Sequence, residues 1–219
     1  MLSCPIKVLS PSSDSYSYLM RYINSGLAFS NASARKYNLT NIYEVGYKAN
    51  SEPALFKNLH QHMMLFHGTS KANLLSILEQ GMQIKPQNAA FHNGSAFGEG
   101  IYLADDFMFA ANYSEIHSEQ TFYVLVCEVA LGNVMNSLIG NAYNTNEAGY
   151  FVDGSGDFAR GYHSVRIMGK NGPDFNKNWI STENVIWPVG DRTEYQAPFW
   201  KAKTTDEEGL SSLKEIVAS

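Results

Sequence analysis

The chain has 219 residues, a length that suits one compact domain, and its 44% hydrophobic content excludes wholesale disorder. A net charge of −5 with no basic stripe argues against autonomous nucleic-acid binding. Met1 to Asp14 lack the pattern of a secretory leader, no run is long and apolar enough to span a membrane, and two cysteines make no disulfide framework, so an intracellular, reducing setting is expected.

Residues 1–13 are expected to form a flexible N-terminus. Asp14 and Ser15 read as a helix cap before Tyr16, Leu19, Met20, Tyr22 and Ile23, which recur at helical spacing. Ile42 to Tyr47 alternates as a strand, and Ala54 to His62 is a short helix. Met63 to Phe66 reads as a buried strand feeding a turn at His67-Gly68. Ser70 is placed to cap a helix through Leu74, Leu75 and Leu78, and Gly81 suits the left-handed position that ends it. Lys85 to Gly98 has no period and reads as a loop. Gly100 to Ala104 is a strand, and Asp105 to Tyr113 a helix opened by acids that favour its N-terminus. Thr121 to Leu131 is apolar nearly throughout and is expected to be a central strand. Gly140 to Gly161 reads as a long loop. His163 to Met168, Asn184 to Val189 and Arg192 to Trp200 read as strands. Thr205 to Ala218 sets Leu210, Leu213, Ile216 and Val217 on one helical face, so residues 204–219 are expected to form a helical tail. Helices in the first half and strands in the second, without regular βαβ alternation, predict an α+β domain.

Two segments carry chemistry. In Leu65-Phe66-His67-Gly68-Thr69, a strand ending in His-Gly sets an imidazole beside a bare backbone that a flat ligand can approach. A lone histidine there is more often structural. In Phe97-Gly98-Glu99-Gly100-Ile101-Tyr102, the Gly-x-Gly precedes a strand instead of following one, so the dinucleotide fingerprint of doubly wound folds does not apply. Tyr102 and Tyr113 lie about one short helix apart, each with a face on which a heteroaromatic ring could stack. His60, His62 and His67 lack the carboxylate or cysteine set of a metal site, and no metal is expected.

Taken together, LFHGTSKANLLSILEQG, FGEGIYLADDFMFAANY, EVALGNV and HSVRIMGK with Pro173-Asp174 resemble the catalytic domain of the poly(ADP-ribose) polymerase family over roughly residues 14–190. The resemblance implies an ADP-ribosyltransferase fold of two packed, antiparallel-rich sheets with flanking helices over residues 14–203. It implies NAD+ as co-substrate. It gives His67 the adenosine ribose, Gly68 the nicotinamide carboxamide through its backbone, and Thr69 and Asn73 the adenosine side. It sets Gly100 and Tyr102 at the border of the nicotinamide pocket, Tyr113 on the nicotinamide ring, and Lys85 to Ala96 as the donor-site loop.

The match departs from the family in three places. The serine that contacts the carboxamide is replaced by Ala110, and the lysine before it by Phe109. The third motif, a glutamate on a late strand, has Glu194 as its first candidate. Glu215 is the rival, ranked lower because its surroundings read as amphipathic helix; absence of such a residue is the remaining option. Three activities stay open: transfer of ADP-ribose, single units favoured over chains, to a protein or nucleic-acid acceptor; binding of NAD+, ADP-ribose or a protein partner without catalysis; and hydrolysis of NAD+. No zinc motif or DNA-binding module is read in the sequence, so activity independent of DNA breaks is expected.

Overall fold

The computed structural model describes residues 4–29, 38–46, 54–84, 100–114, 121–138, 162–168, 171–194 and 216–218. It opens with β1 (Ile6–Val8), α1 (Asp14–Phe29) and β2 (Tyr43–Val45). β1 pairs antiparallel with β2, Lys7 opposite Glu44, so this part of the expected flexible N-terminus is a strand instead. Its partner lies more than thirty residues away, and no local pattern announces it. The cap of α1 is Ser13, one residue earlier than the sequence suggests: its hydroxyl oxygen accepts the Tyr16 N–H at 3.2 Å.

α2 (Ala54–Asn58) is followed by β3 (His62–Gly68), α3 (Lys71–Gln80), β4 (Ile101–Leu103) and α4 (Phe107–Ala111). β3 starts earlier and runs further than expected, so His67 and Gly68 are strand residues and not the turn beyond it. Gly81 ends α3 at φ 82°, its N–H returning to the Ile77 carbonyl. Then come β5 (Val124–Ala130), β6 (Val134–Leu138), β7 (Ser164–Met168), β8 (Asn171–Pro173), β9 (Trp179–Ile180), β10 (Ile186–Trp187), β11 (Arg192–Glu194) and β12 (Ile216–Ala218). Among the described residues the four α-helices precede residue 112 and the later strands follow them, giving an α+β domain.

Two four-stranded sheets organise it, in the orders β5-β3-β10-β9 and β4-β12-β7-β6. The pairings are antiparallel except β3 with β10 and β6 with β7. A bridge between Phe66 and Ala104, with both N–H···O bonds at 2.8 Å, links β3 to the residue after β4 and so ties the sheets together. Among the described residues β5 is an edge strand, not a central one. Its apolar character has another cause: Val124 and Val126 pack into the core around Phe66, and Cys127 and Val129 into the cluster around Leu65.

The expected helical tail is corrected at its end. Ile216–Ala218 is a strand inserted between β4 and β7, with Ile216 opposite Leu103 and Arg166, and Val217 opposite Tyr102 and Val165. Two open ladders offer this segment hydrogen bonds on both edges, and tertiary pairing overrides the helical spacing. Leu210 and Leu213 lie outside the described residues, as do the predicted loops 85–98 and 140–161 and the predicted strand beyond Glu194.

The core gathers Leu19, Tyr22 and Ile23 of α1 against Phe66 of β3 and Ala110 of α4. Tyr22 stacks on Phe66 at 4.3 Å between ring centroids, and its hydroxyl donates to the Met64 carbonyl at 3.0 Å. Side chains of this kind contribute about 1.5–3 kcal/mol each when fully buried. Trp179 stacks on Tyr18 and leans on Trp187, and both tryptophans pack against the core.

Candidate active site

Strand β3 delivers His67 and Gly68 to one end of its sheet, registered with Leu125 and Val124 of β5. His67 Nδ1 lies 2.8 Å from the Tyr102 carbonyl oxygen. A carbonyl can only accept, so Nδ1 carries the proton and Nε2 presents a lone pair. Burial lowers the pKa of His67, with the bond to Tyr102 opposing, so the neutral ring is the form held at neutral pH. The geometry thus fixes one tautomer, with an acceptor left for a ligand hydroxyl. It also locks the end of β3 to β4.

Gly68 faces α4. A Cβ built there would overlap the Ala110 carbonyl oxygen, 2.6 Å from its carbon and 3.2 Å from Tyr113 Cβ. The glycine therefore serves more than ligand approach: it lets the helix seat against the strand. α4 is a five-residue helix, too short to persist by itself. It is held by burial of Met108, Ala110 and Ala111 and by its cap, where Asp106 Oδ1 accepts the Phe109 N–H at 2.8 Å. Just past its last turn stands Tyr113, 38% exposed and with its ring 5.7 Å from that of Phe109.

The structure brings together His67, Gly68, Tyr102 and Tyr113, four of the residues expected at the site, with Ala110 beside them. Gly100 sits just before β4, two residues from Tyr102. Thr69 is buried directly after β3, while Asn73 lies exposed on α3. Glu194 is exposed on β11, opposite Asn171 of β8, in a separate two-stranded sheet. Glu215 and the loop 85–96 lie outside the described residues.

Sequence reasoning missed the charge cluster behind α4. Arg192 Nη1 lies 3.0 Å from Asp106 Oδ2 and 3.6 Å from Asp105 Oδ1, with all three side chains largely buried. The acids at the helix start were legible, but nothing local pairs them with an arginine from β11. His62, one of the three histidines weighed for metal, instead bonds Glu128 Oε1 at 2.6 Å and the Leu59 carbonyl at 3.0 Å.

With this geometry in hand, comparison with known proteins is informative. The family model for the poly(ADP-ribose) polymerase catalytic domain matches residues 13–199. The chain belongs to that family. It is 28% identical over 192 residues to Poly [ADP-ribose] polymerase 2 of Zea mays, covering 87% of this chain and 27% of the relative. To Poly [ADP-ribose] polymerase 1 of Gallus gallus it is 32% identical over 176 residues, 79% of this chain and 16% of that one. To Poly [ADP-ribose] polymerase tankyrase of Caenorhabditis elegans it is 34% identical over 134 residues, covering 61% and 6%. The chain spans less than a third of the length of these relatives.

Proposed function

We propose that this domain binds NAD+ and transfers its ADP-ribose unit, one at a time, to a macromolecular acceptor. The observation that carries the proposal is the lock of His67 Nδ1 on the Tyr102 carbonyl, with Gly68 seated against Ala110, because these contacts join the segments that carry the family's first two motifs. In this reading Nε2 of His67 accepts a ribose hydroxyl of the adenosine half, with Thr69 and Asn73 on the same side. The Gly68 backbone holds the carboxamide. Gly100 and Tyr102 border the nicotinamide, and Tyr113 covers its ring.

The C1′–N bond breaks with its electron pair leaving on nicotinamide, which departs neutral. No strong acid is needed. The ribose develops positive charge, and a carboxylate in a dry, preorganised setting stabilises it. The acceptor's lone pair then forms the new bond at C1′, and its proton leaves to a base or to water.

Of the two candidate carboxylates, we propose Glu215 ahead of Glu194. Ile216–Ala218, the residues directly after Glu215, form a strand and not the expected helix. In sequence Glu215 stands directly before that strand, whose Val217 is registered with Tyr102. Glu194 lies exposed on a different sheet. Labelled NAD+ tests this. Glu215→Gln is expected to abolish transfer of label while NAD+ still binds, and Glu194→Gln to leave transfer within about threefold. The reverse pattern restores Glu194 as the catalytic acid.

A second reading is a domain that binds NAD+ or ADP-ribose without turnover. Ala110 and Phe109 favour it, since both replace polar family residues beside Gly68 and Tyr113. Absence of labelled product and of free ADP-ribose, with NAD+ bound, would establish it.

A further inference from the structure

We infer that Arg192 is a positioning residue for the nicotinamide side of the pocket, acting through the paired carboxylates that set the start of α4. The inference rests on the proposed NAD+ site and adds a residue to it.

The geometry runs in a chain. Asp106 is the N-cap of α4, with extended backbone at φ −126° and ψ 120°, and its Oδ1 takes the Phe109 N–H. Its other oxygen, Oδ2, takes Arg192 at 3.0 Å. Asp105, the next residue back, faces the same guanidinium at 3.6 Å and follows Ala104, whose backbone is bonded to Phe66. One arginine, its side chain 5% exposed, therefore clamps the exit of β4 to the first turn of α4. The helix then runs about 10 Å to Tyr113, passing Ala110 where it rests on Gly68. No heptad of packing anchors so short an element. Its tilt is set at one end by the cap and at the other by the Gly68 contact.

Arg192 is itself held. Its Nη2 reaches the Asn171 carbonyl at 3.5 Å, and it opens β11 opposite Pro173. Two residues earlier Gly190 lies against Asp174, where a Cβ would overlap the carbonyl oxygen. The strand β11 is thus pinned close to β8, and its arginine is delivered inward while Thr193 and Glu194 face solvent.

Two adjacent carboxylates in a buried place repel each other, and without a cation one of them must take up a proton. Burial already raises the carboxyl pKa of Asp106, with Arg192 and the Phe109 N–H opposing and Asp105 adding to the rise. Tyr22 from α1 and Arg166 from β7 belong to the same electrostatic neighbourhood. Removing the Arg192 charge moves Asp106 further upward, so its proton uptake shifts to higher pH. A protonated cap holds the helix N-terminus less strongly.

The test uses the full 219-residue chain. Nicotinamide and ADP-ribose are titrated separately against wild type, Arg192→Met and Arg192→Lys by calorimetry between pH 5.5 and 8. Arg192→Met is expected to weaken nicotinamide by about fivefold or more at pH 7, with the loss growing toward acid pH, while ADP-ribose changes by less than about twofold. Arg192→Lys is expected to lie between, since a lysine serves one carboxylate well but not both. Equal losses of both ligands, or unchanged nicotinamide affinity with a wild-type pH profile, would overturn the assignment. If Arg192→Met is insoluble, the same comparison read on Arg192→Lys decides it: nicotinamide weakened more than ADP-ribose supports the role, and equal or absent losses refute it. Wild-type protein that binds neither ligand refutes the NAD+ site itself, a result distinct from any of these.

Discussion

Replacing Gly68 with alanine adds one methyl group at a point where the structure has no room for it. The new Cβ would stand 2.6 Å from the Ala110 carbonyl carbon, against ordinary contact at 3.4–4 Å, so strand and helix must part by about 0.8 Å at the least. The atoms in the way are backbone, so no side-chain rotation relieves the clash. Overpacking of this kind costs about 1–3 kcal/mol, which for a domain of this size lowers Tm by roughly 2–12 °C. Because α4 is what moves, Tyr113 moves with it, and nicotinamide should weaken by about tenfold or more while ADP-ribose changes little. Gly81→Ala is the control. Gly81 has φ 82° and nothing within 4 Å of its would-be Cβ, so that substitution costs backbone strain of about 1–2 kcal/mol without touching the pocket. Scanning calorimetry and nicotinamide titration read both effects. A Gly68→Ala protein with wild-type Tm and wild-type nicotinamide affinity would show that the strand–helix contact does not set the pocket, and the reasoning fails.

Two further outcomes follow from the same geometry. His67 has its pKa lowered by burial, so the native state disfavours the imidazolium; the associated stability is fully present above the unfolded value of about 6.5 and is lost as pH falls toward the lowered native value. ADP-ribose affinity should accordingly be flat from pH 7 to 8 and fall on the acid side of 6.5, and His67→Ala should remove that limb; a limb that persists in the variant assigns it elsewhere. Ala110→Ser should strengthen nicotinamide by up to roughly tenfold if the new hydroxyl reaches the carboxamide, since one hydrogen bond contributes about 0.5–1.5 kcal/mol net; an unchanged constant means that the hydroxyl is spent on the backbone.

Much of this was legible because it is written locally. The apolar run before His67, the helical spacing through Leu19, Tyr22 and Ile23, and Gly81 past a helix end each encode structure within a few residues, and each element is there. The site was legible through its motif spacing, which is why His67 and Tyr102 could be named together before any coordinates. What escaped depends on distant partners. β1 is a strand because of β2, and Ile216–Ala218 is a strand because of β4 and β7. β5 reads as central because it is apolar, yet among the described residues it lies at an edge, and its apolar side chains pack into the core clusters on its two faces. Arg192 and Asp106 are separated by most of the second half of the chain, and no periodicity links a charge to its counter-charge. Gly68 was found for an incomplete reason: ligand approach was foreseen, the seating of a helix was not.

The insertion of Ile216–Ala218 also has a consequence for how the protein is made. Leu103 emerges from the ribosome 113 residues before the residue it must pair with, a delay of about 6–23 s at ordinary elongation rates. Throughout that interval β4 lacks this neighbour, and β7 lacks it from the time it is made; such bare backbone is a template for any extended segment nearby. A nascent-chain chaperone, or a short synthetic peptide carrying the sequence Lys-Glu-Ile-Val-Ala, would find an opening between β4 and β7 that β12 fills in the finished sheet.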